Sequence, residues 1–294
     1  MKYIVRLLVF GLLLISLKAS AQLNPLLSQY FNNRYLSTPA YAGIDSGLNL
    51  NMSYRKQWSN IPGSPQVQNL TADYGMGRVG LGLNVNLDKA GLQRQNRIVG
   101  SYAYHLVIDS GSSKLSFGLS LGFMNQQLSQ SDINGNPSDP IVAQYNDRET
   151  YIDGDFGLAY SLNGLKLEAA LPNLNFLFKR SLIKMSDVPM FYTAASYVIP
   201  VAGGQALVET KAAYRGVTGF DNIIDLGANI SLISRQLMLM GMYHSSKSLS
   251  LGLGLDYKRR YLVTGVYTTQ TSALNSYSNG SFEFSLRLRI GRIN

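Results

Sequence analysis

Beyond residue 44 the chain alternates apolar side chains with small or polar ones, in segments separated by turn residues. Over residues 79–88 the odd positions are Val or Leu, and the even positions are Gly, Asn or Asp. Residues 115–123, 249–255 and 282–290 repeat this pattern. Successive side chains of a β-strand point to opposite faces, so a period of two predicts strands with one apolar and one polar face.

Such strands are used by soluble sandwiches and by membrane barrels, and the length of the segments favours the barrel. Strands that cross a bilayer have about ten residues, whereas strands of soluble proteins average about five or six. Tyr residues near the strand ends are typical of an interfacial aromatic girdle: Tyr54, Tyr74, Tyr104, Tyr160, Tyr214 and Tyr257. We therefore predict an all-β fold, a transmembrane antiparallel β-barrel of about 14 strands.

The barrel is predicted over residues 45–294. The strand centres are placed near residues 52, 70, 83, 102, 120, 156, 168, 194, 210, 228, 240, 253, 265 and 286. Three polar insertions, 126–150, 172–189 and 272–280, then each join an odd-numbered strand to the next one. Long loops of outer-membrane barrels lie outside the cell, so we expect all three insertions at the cell surface.

Residues 1–21 have the features of a secretory signal peptide. Lys2 and Arg6 precede an apolar stretch, and Ala19-Ser20-Ala21 supplies the small residues of a cleavage site before Gln22. An uncleaved membrane anchor is the alternative. Cleavage would reduce the formal net charge from +9 to +6, so basicity is a weak guide to partners. We expect export and an outer-membrane location.

Residues 22–44 do not alternate and contain both proline and several aromatic residues. A disordered tail would be poor in aromatics, so we predict a plug inside the barrel or a cap on its periplasmic mouth. The residues expected to make plug or periplasmic contacts are Tyr30, Phe31, Arg34, Tyr35 and Tyr41.

Candidate chemistry is sparse in this sequence. There is no Cys, and neither His105 nor His244 has a spacing that singles out a catalytic Ser–His pair. The glycines recur at period two inside strands, where they indicate small inward positions rather than a phosphate-binding loop. Ca²⁺ binding by Asp132, Asn134 and Asp139 is an open alternative, although the EF-hand pattern is missing. We predict a non-enzymatic protein with no catalytic residues, cofactor or metal site and no nucleic-acid partner.

Several short motifs resemble the PorP/SprF family of type IX secretion outer-membrane proteins of Bacteroidetes. The hallmark Ser-Gln-Tyr stands at residues 28–30, and Thr38-Pro-Ala-Tyr-Ala-Gly43 matches the family pattern except that Thr38 replaces Asn. Further matches are Tyr54-Arg55-Lys56-Gln57-Trp58, Gly80-Leu81-Gly82, Asp88-Lys89-Ala90-Gly91, Tyr102-Ala103-Tyr104, Lys114 to Gly118 and Leu171-Pro172-Asn173-Leu174.

The resemblance implies a role in type IX secretion and gliding motility. The implied partners are a secreted surface adhesin with a type B C-terminal sorting domain, components of the secretion apparatus, and outer-membrane lipid. Trp and Arg often contribute most to interface energy, which favours surface loops as the partner-binding site, and anchoring at the membrane interface is the alternative for Trp58. The candidates are Trp58, Arg55, Lys56, Tyr145, Arg148, Lys179, Arg180 and Lys184. An outer-membrane channel or transporter with an N-terminal plug is the alternative function.

Overall fold

A computed structural model describes residues 28–58, 60–108, 113–129, 142, 146, 150–174, 190–217, 221–269 and 278–291. These residues form a closed antiparallel barrel in which each strand pairs with its neighbours in the chain and the last pairs with the first. The strands are β1 Gly47–Lys56, β2 Gln66–Met76, β3 Val79–Ala90, β4 Gln93–Ile108, β5 Ser113–Leu128, β6 Tyr151–Leu162, β7 Leu165–Leu171, β8 Met190–Val201, β9 Ala206–Val217, β10 Ile223–Leu232, β11 Leu237–His244, β12 Ser248–Tyr257, β13 Tyr261–Thr268 and β14 Ser281–Ile290. The predicted fold of about 14 strands is confirmed, and every predicted centre lies inside a strand.

The two faces of the strands are sorted as the period of two requires. On β5, the side chains of Leu119, Leu121 and Phe123 are exposed on the outside, while Ser116 and Ser120 are buried inside. The outer surface is therefore an apolar band, which suits contact with lipid. Closure of the barrel leaves no unpaired strand edge in that band.

The structure corrects the predicted strand lengths in one part of the wall. β4 and β5 each have 16 residues, longer than expected, and the insertion predicted at 126–150 begins only after Leu128. Polar residues such as Arg94 and Asn125 lie in this extension, so polarity alone suggested a loop there. The backbone pairing of Gln93 with Leu128 continues the sheet regardless.

The two ends of the barrel differ in the length of their connections. At one end, here called the short-turn end, every connection has two to four residues. At the other, here called the long-connection end, lie 57–65, 129–150, 172–189 and 269–280. The three predicted insertions therefore join strands at the same end of the barrel, as expected.

Residues 28–44, here called the lumen segment, lie inside the barrel. The segment contains two 3₁₀ helices, Arg34–Leu36 and Pro39–Tyr41. It begins near Glu283 at the long-connection end and reaches Asp73 toward the short-turn end, just before β1 begins. Among the described residues, no helix combines the length and the apolar character needed to span a membrane.

Candidate functional site

The wall of the barrel is shaped to receive the lumen segment. Inward-facing glycines on β3, β5 and β6 leave the space that the segment occupies. A Cβ atom on Gly118 would overlap the backbone of Pro39 and Ala40, and one on Gly80 would overlap the carbonyl of Ala42. The glycines that the sequence predicted at inward positions therefore leave the space in which the segment packs against the wall.

Charged side chains bond the middle of the lumen segment to the wall. Arg34 forms an ion pair with Glu209 of β9 and lies 3.7 Å from Glu168 of β7. The Lys211 ammonium lies 2.8 Å from Glu168 and donates to the carbonyl oxygen of Tyr30 at 3.1 Å. Inward-facing charges of both signs thus form ion pairs with the lumen segment and between strands of the wall.

A belt of polar contacts crosses consecutive strands near the long-connection end. Arg215 holds Asp225 through two bonds of 2.8 and 2.9 Å, and Tyr30 donates to the same carboxylate at 3.0 Å. Burial raises the pKa of the Tyr30 phenol, so this group stays neutral and acts as a donor. The belt continues from Asp225 to His244 at 2.6 Å and from there to Ser250 at 2.9 Å.

The series Asp225–His244–Ser250 has the connectivity of a catalytic triad, and it is a feature that the sequence did not reveal. The Ser250 hydroxyl, however, also bonds Thr268 at 2.7 Å, and Ser250 is only 3% exposed. Thr268 in turn lies 3.5 Å from the hydroxyl of Ser28. We interpret the series as part of the belt that fastens the lumen segment.

The first residues of the lumen segment form hydrogen bonds with one carboxylate of β14, that of Glu283. The Ser28 backbone N–H and the Gln29 side chain donate to the two oxygens of Glu283 at 2.7 and 2.5 Å. Arg55 is paired in register with Glu283 and is 3% exposed inside the barrel. Arg55 is therefore not available to a partner at the surface, because its position in the strand alternation turns it inward.

The five aromatic and basic residues predicted for plug or periplasmic contacts are placed in the lumen. Tyr35 bonds Ser101 at 2.6 Å, and the Tyr41 ring lies 5.8 Å from the Arg34 guanidinium carbon. Tyr30 and Phe31 belong to an apolar cluster that includes Met242. Inward apolar residues of this kind were missed by the sequence analysis, which expected a polar inner face.

Thr38, the residue that departs from the family pattern, has a local structural role. Thr38 is the N-cap of the second 3₁₀ helix, and its hydroxyl accepts from the Ala40 N–H at 3.4 Å. Thr and Asn both act as N-caps, so the replacement preserves this contact. At the end of the motif, His105 bonds the Ala42 carbonyl at 3.0 Å, and Gly43 adopts a φ of 62°.

Of the partner-binding candidates, only Arg55, Lys56 and Trp58 belong to the described residues. Trp58 lies in the connection from β1 to β2 at the long-connection end, half-buried and with a φ of 50°, and Lys56 ends β1 beside it. The other partner-binding candidates and the Ca²⁺ candidates lie outside the described residues: Tyr145, Arg148, Lys179, Arg180, Lys184, Asp132, Asn134 and Asp139.

A closed barrel with an apolar outer band and a filled lumen defines the protein as an outer-membrane β-barrel. The chain matches the family described as "Type IX secretion system membrane protein PorP/SprF" over residues 19–288. It belongs to this family, as the resemblance of its motifs predicted, and is an outer-membrane barrel of type IX secretion. The comparison with curated proteins gave no match.

The comparison with solved structures gave matches at low sequence identity. The Acinetobacter baumannii outer membrane protein Omp33 superposes with a TM-score of 0.53 at 8% identity, covering 84% of this chain and 100% of that chain. The KdgM porin gives a TM-score of 0.43 at 6% identity, covering 83% of this chain and 99% of its own.

Proposed function

We propose that this protein is a closed outer-membrane anchor that partners the export or surface attachment of a secreted adhesin with a type B C-terminal sorting domain. Its role is structural rather than enzymatic. Residues 1–21 act as a signal peptide that is removed before Gln22, and the mature chain serves the secretion and gliding apparatus.

The filled lumen is the observation that carries this proposal. The lumen segment is bonded to strands on opposite sides of the barrel, from Thr71 on β2 to Glu209 on β9 and Glu283 on β14. The segment obstructs the path of a permeating solute, because these bonds hold it across the lumen. A barrel closed in this way suits an anchor better than a passive pore.

The long-connection end is the surface that we assign to the secreted partner. Outer-membrane barrels have short periplasmic turns and longer extracellular loops. Trp58 and Lys56 lie at this end, and the insertions that contain the other partner-binding candidates emerge from it. Trp58 has a left-handed backbone conformation that is unusual for a bulky residue, which favours a role for its side chain.

Affinity purification of the tagged full chain from the native outer membrane tests this proposal. We expect to recover a large secreted protein with the sorting domain, together with secretion components. Recovery of neither would contradict the proposal.

A matched pair of variants locates the contact. Trp58→Gly removes the side chain and suits the positive φ, so we expect it to reduce recovery of the partner. Lys258→Gly, at a residue with a φ of 53° in a turn at the opposite end, is the control and should leave recovery unchanged.

The alternative function, a channel or transporter with an N-terminal plug, predicts a different result. A channel whose plug leaves a path open would conduct ions in a planar bilayer while the lumen segment is present. Conductance of the full chain therefore separates the anchor from such a channel without knowledge of the partner.

A further inference from the structure

A cavity of about 440 Å³ lies inside the barrel toward the short-turn end. Its inner boundary is formed by the lumen segment, including Asn32 and Tyr41, and its outer boundary by residues of the turns, including Arg235 and Arg259. The volume falls within the range of about 300–1,000 Å³ that is typical of ligand-binding clefts. We call this space the basic vestibule.

Basic side chains outnumber acidic ones around the vestibule. The basic residues that line it are Arg34, Lys114, Lys166, Arg235, Arg259, Arg287 and Arg289, and the acidic residues are Asp45, Asp73, Glu209 and Asp256. The arginines of β14 lie at long distances from their carboxylates, since Arg287 is 3.6 Å from Asp256 and Arg289 is 4.0 Å from Asp45, and Arg287 also donates to the Asn32 carbonyl oxygen at 2.9 Å. Arginine binds carboxylates through two parallel hydrogen bonds, so this surplus suits an anionic ligand.

Buried polar atoms without a hydrogen-bond partner among the described residues also belong to residues that line the vestibule. They include Oδ1 of Asn32, Oδ1 of Asn229 and Nε of Arg289, and both asparagines are more than nine-tenths buried. Amide oxygens accept from N–H groups, whereas a guanidinium donates to carboxylates and carbonyls. The lining of the vestibule therefore combines unsatisfied polar groups with a surplus of positive charge that suits acidic side chains.

Two of the basic residues occupy backbone conformations that ordinarily select other residues. Arg259 has a φ of 54° in the turn between β12 and β13, and Arg235 has a φ of 73° in the turn between β10 and β11. Asn and Gly are the usual residues at such positions. Basic residues are thus held at the rim of the vestibule despite backbone strain, which favours a function for their charge.

We infer that the basic vestibule binds an acidic peptide segment of a protein partner. The wall of the barrel separates the vestibule from the bilayer, so lipid headgroups are a poorer match for it than a peptide entering from the open end. The compartment of the partner rests on the proposed function: if the long connections face the cell exterior, the partner is periplasmic.

Binding of a fluorescein-labelled octaglutamate peptide to the purified full chain, in non-ionic detergent, tests this inference. We expect fluorescence anisotropy to show saturable binding that is stronger than for an octalysine peptide and weaker at high salt. The triple variant Arg235→Gln/Arg259→Gln/Arg289→Gln should bind about tenfold more weakly, because three favourable charges are lost. Lys247→Gln removes a basic turn residue of positive φ at the opposite end and should bind as the unaltered chain does.

Three results would overturn the inference: no preference for octaglutamate over octalysine, equal binding by the triple variant, or equally effective competition by inorganic phosphate, which would indicate a small-anion site only. The result does not depend on which end of the barrel faces the cell exterior. The orientation is tested separately by labelling, so failure of the proposed function and failure of this inference are distinguishable.

Discussion

Arg34 connects the lumen segment to two carboxylates that come from different parts of the chain. Glu168 and Glu209 lie on β7 and β9, and the side chain of Glu168 is fully buried. Removal of one partner from a buried ion pair leaves an uncompensated charge, which is more costly than never having formed the pair. Lys211 and Lys166 offset part of that charge, since they lie 2.8 Å from Glu168 and 4.0 Å from Glu209.

We predict that Arg34→Met destabilises the barrel by up to about 3–5 kcal/mol, the usual cost of breaking a buried pair. Thermal unfolding in detergent, followed by the loss of the β-sheet circular dichroism signal, measures the effect. Lys247→Met alters an exposed residue and should change stability by less than about 0.5 kcal/mol. Equal behaviour of the two variants would contradict the role of Arg34.

Gly118 tests whether the close approach of the lumen segment is real. We predict that Gly118→Ala displaces Pro39 and Ala40 and so opens a conducting path, because the added methyl group would overlap their backbone. Single-channel recording measures this directly. Gly100→Ala on the neighbouring strand is the control, since its nearest atom would lie at 3.9 Å. Silent recordings from both variants would argue against the close contact.

At the residue level, the sequence predicted the kind of side chain inside the barrel but not its partner. Small inward positions follow from the period of two, whereas the approach of Ala42 to Gly80 joins parts of the chain that no local pattern relates. The Asp225–His244–Ser250 series was missed for a similar reason. Its members come from three strands, and only the register of β10, β11 and β12 brings them together.

At the level of elements, the strand positions could be predicted because most strands carry their own alternation between turn residues. β11 and β13 have a mixed pattern, with Met238, Met240 and Met242 facing inward on β11 and Leu262 and Val266 on β13. These apolar residues pack inside the lumen, whereas the sequence pattern led us to expect polar residues there. The extended ends of β4 and β5 were missed because polar residues there resemble a loop.

The path of the lumen segment could not be predicted, since it has no period and its contacts are distant in the chain. We predict that Ser28→Cys/Thr268→Cys forms a disulfide in the native barrel, because the two hydroxyl oxygens lie 3.5 Å apart. The chain has no other cysteine, so loss of thiol labelling reports the bond.

A control pair makes the disulfide test specific. Ser28→Cys/Thr264→Cys moves the second thiol four residues along the same strand, about 13 Å away, and should stay reduced. Equal oxidation of both pairs, or of neither, would contradict the described path of the segment.

For the whole molecule, the orientation in the membrane follows from the unequal ends of the barrel. We predict that Ile61→Cys, at the long-connection end, reacts with a membrane-impermeant maleimide on intact cells. Lys258→Cys, at the short-turn end, should react only after permeabilisation. The reverse pattern would show that the short turns face the cell exterior and would contradict the assignment of the partner surface.

We propose that the lumen segment closes the barrel, so that the protein acts as an anchor and not as an open channel. Conductance in a planar bilayer tests it most directly, by comparison of the full chain with a variant that lacks residues 28–44. We expect no stable conductance from the full chain and stable open channels from the deletion variant. Stable channels from the full chain, unchanged by the deletion, would contradict the claim.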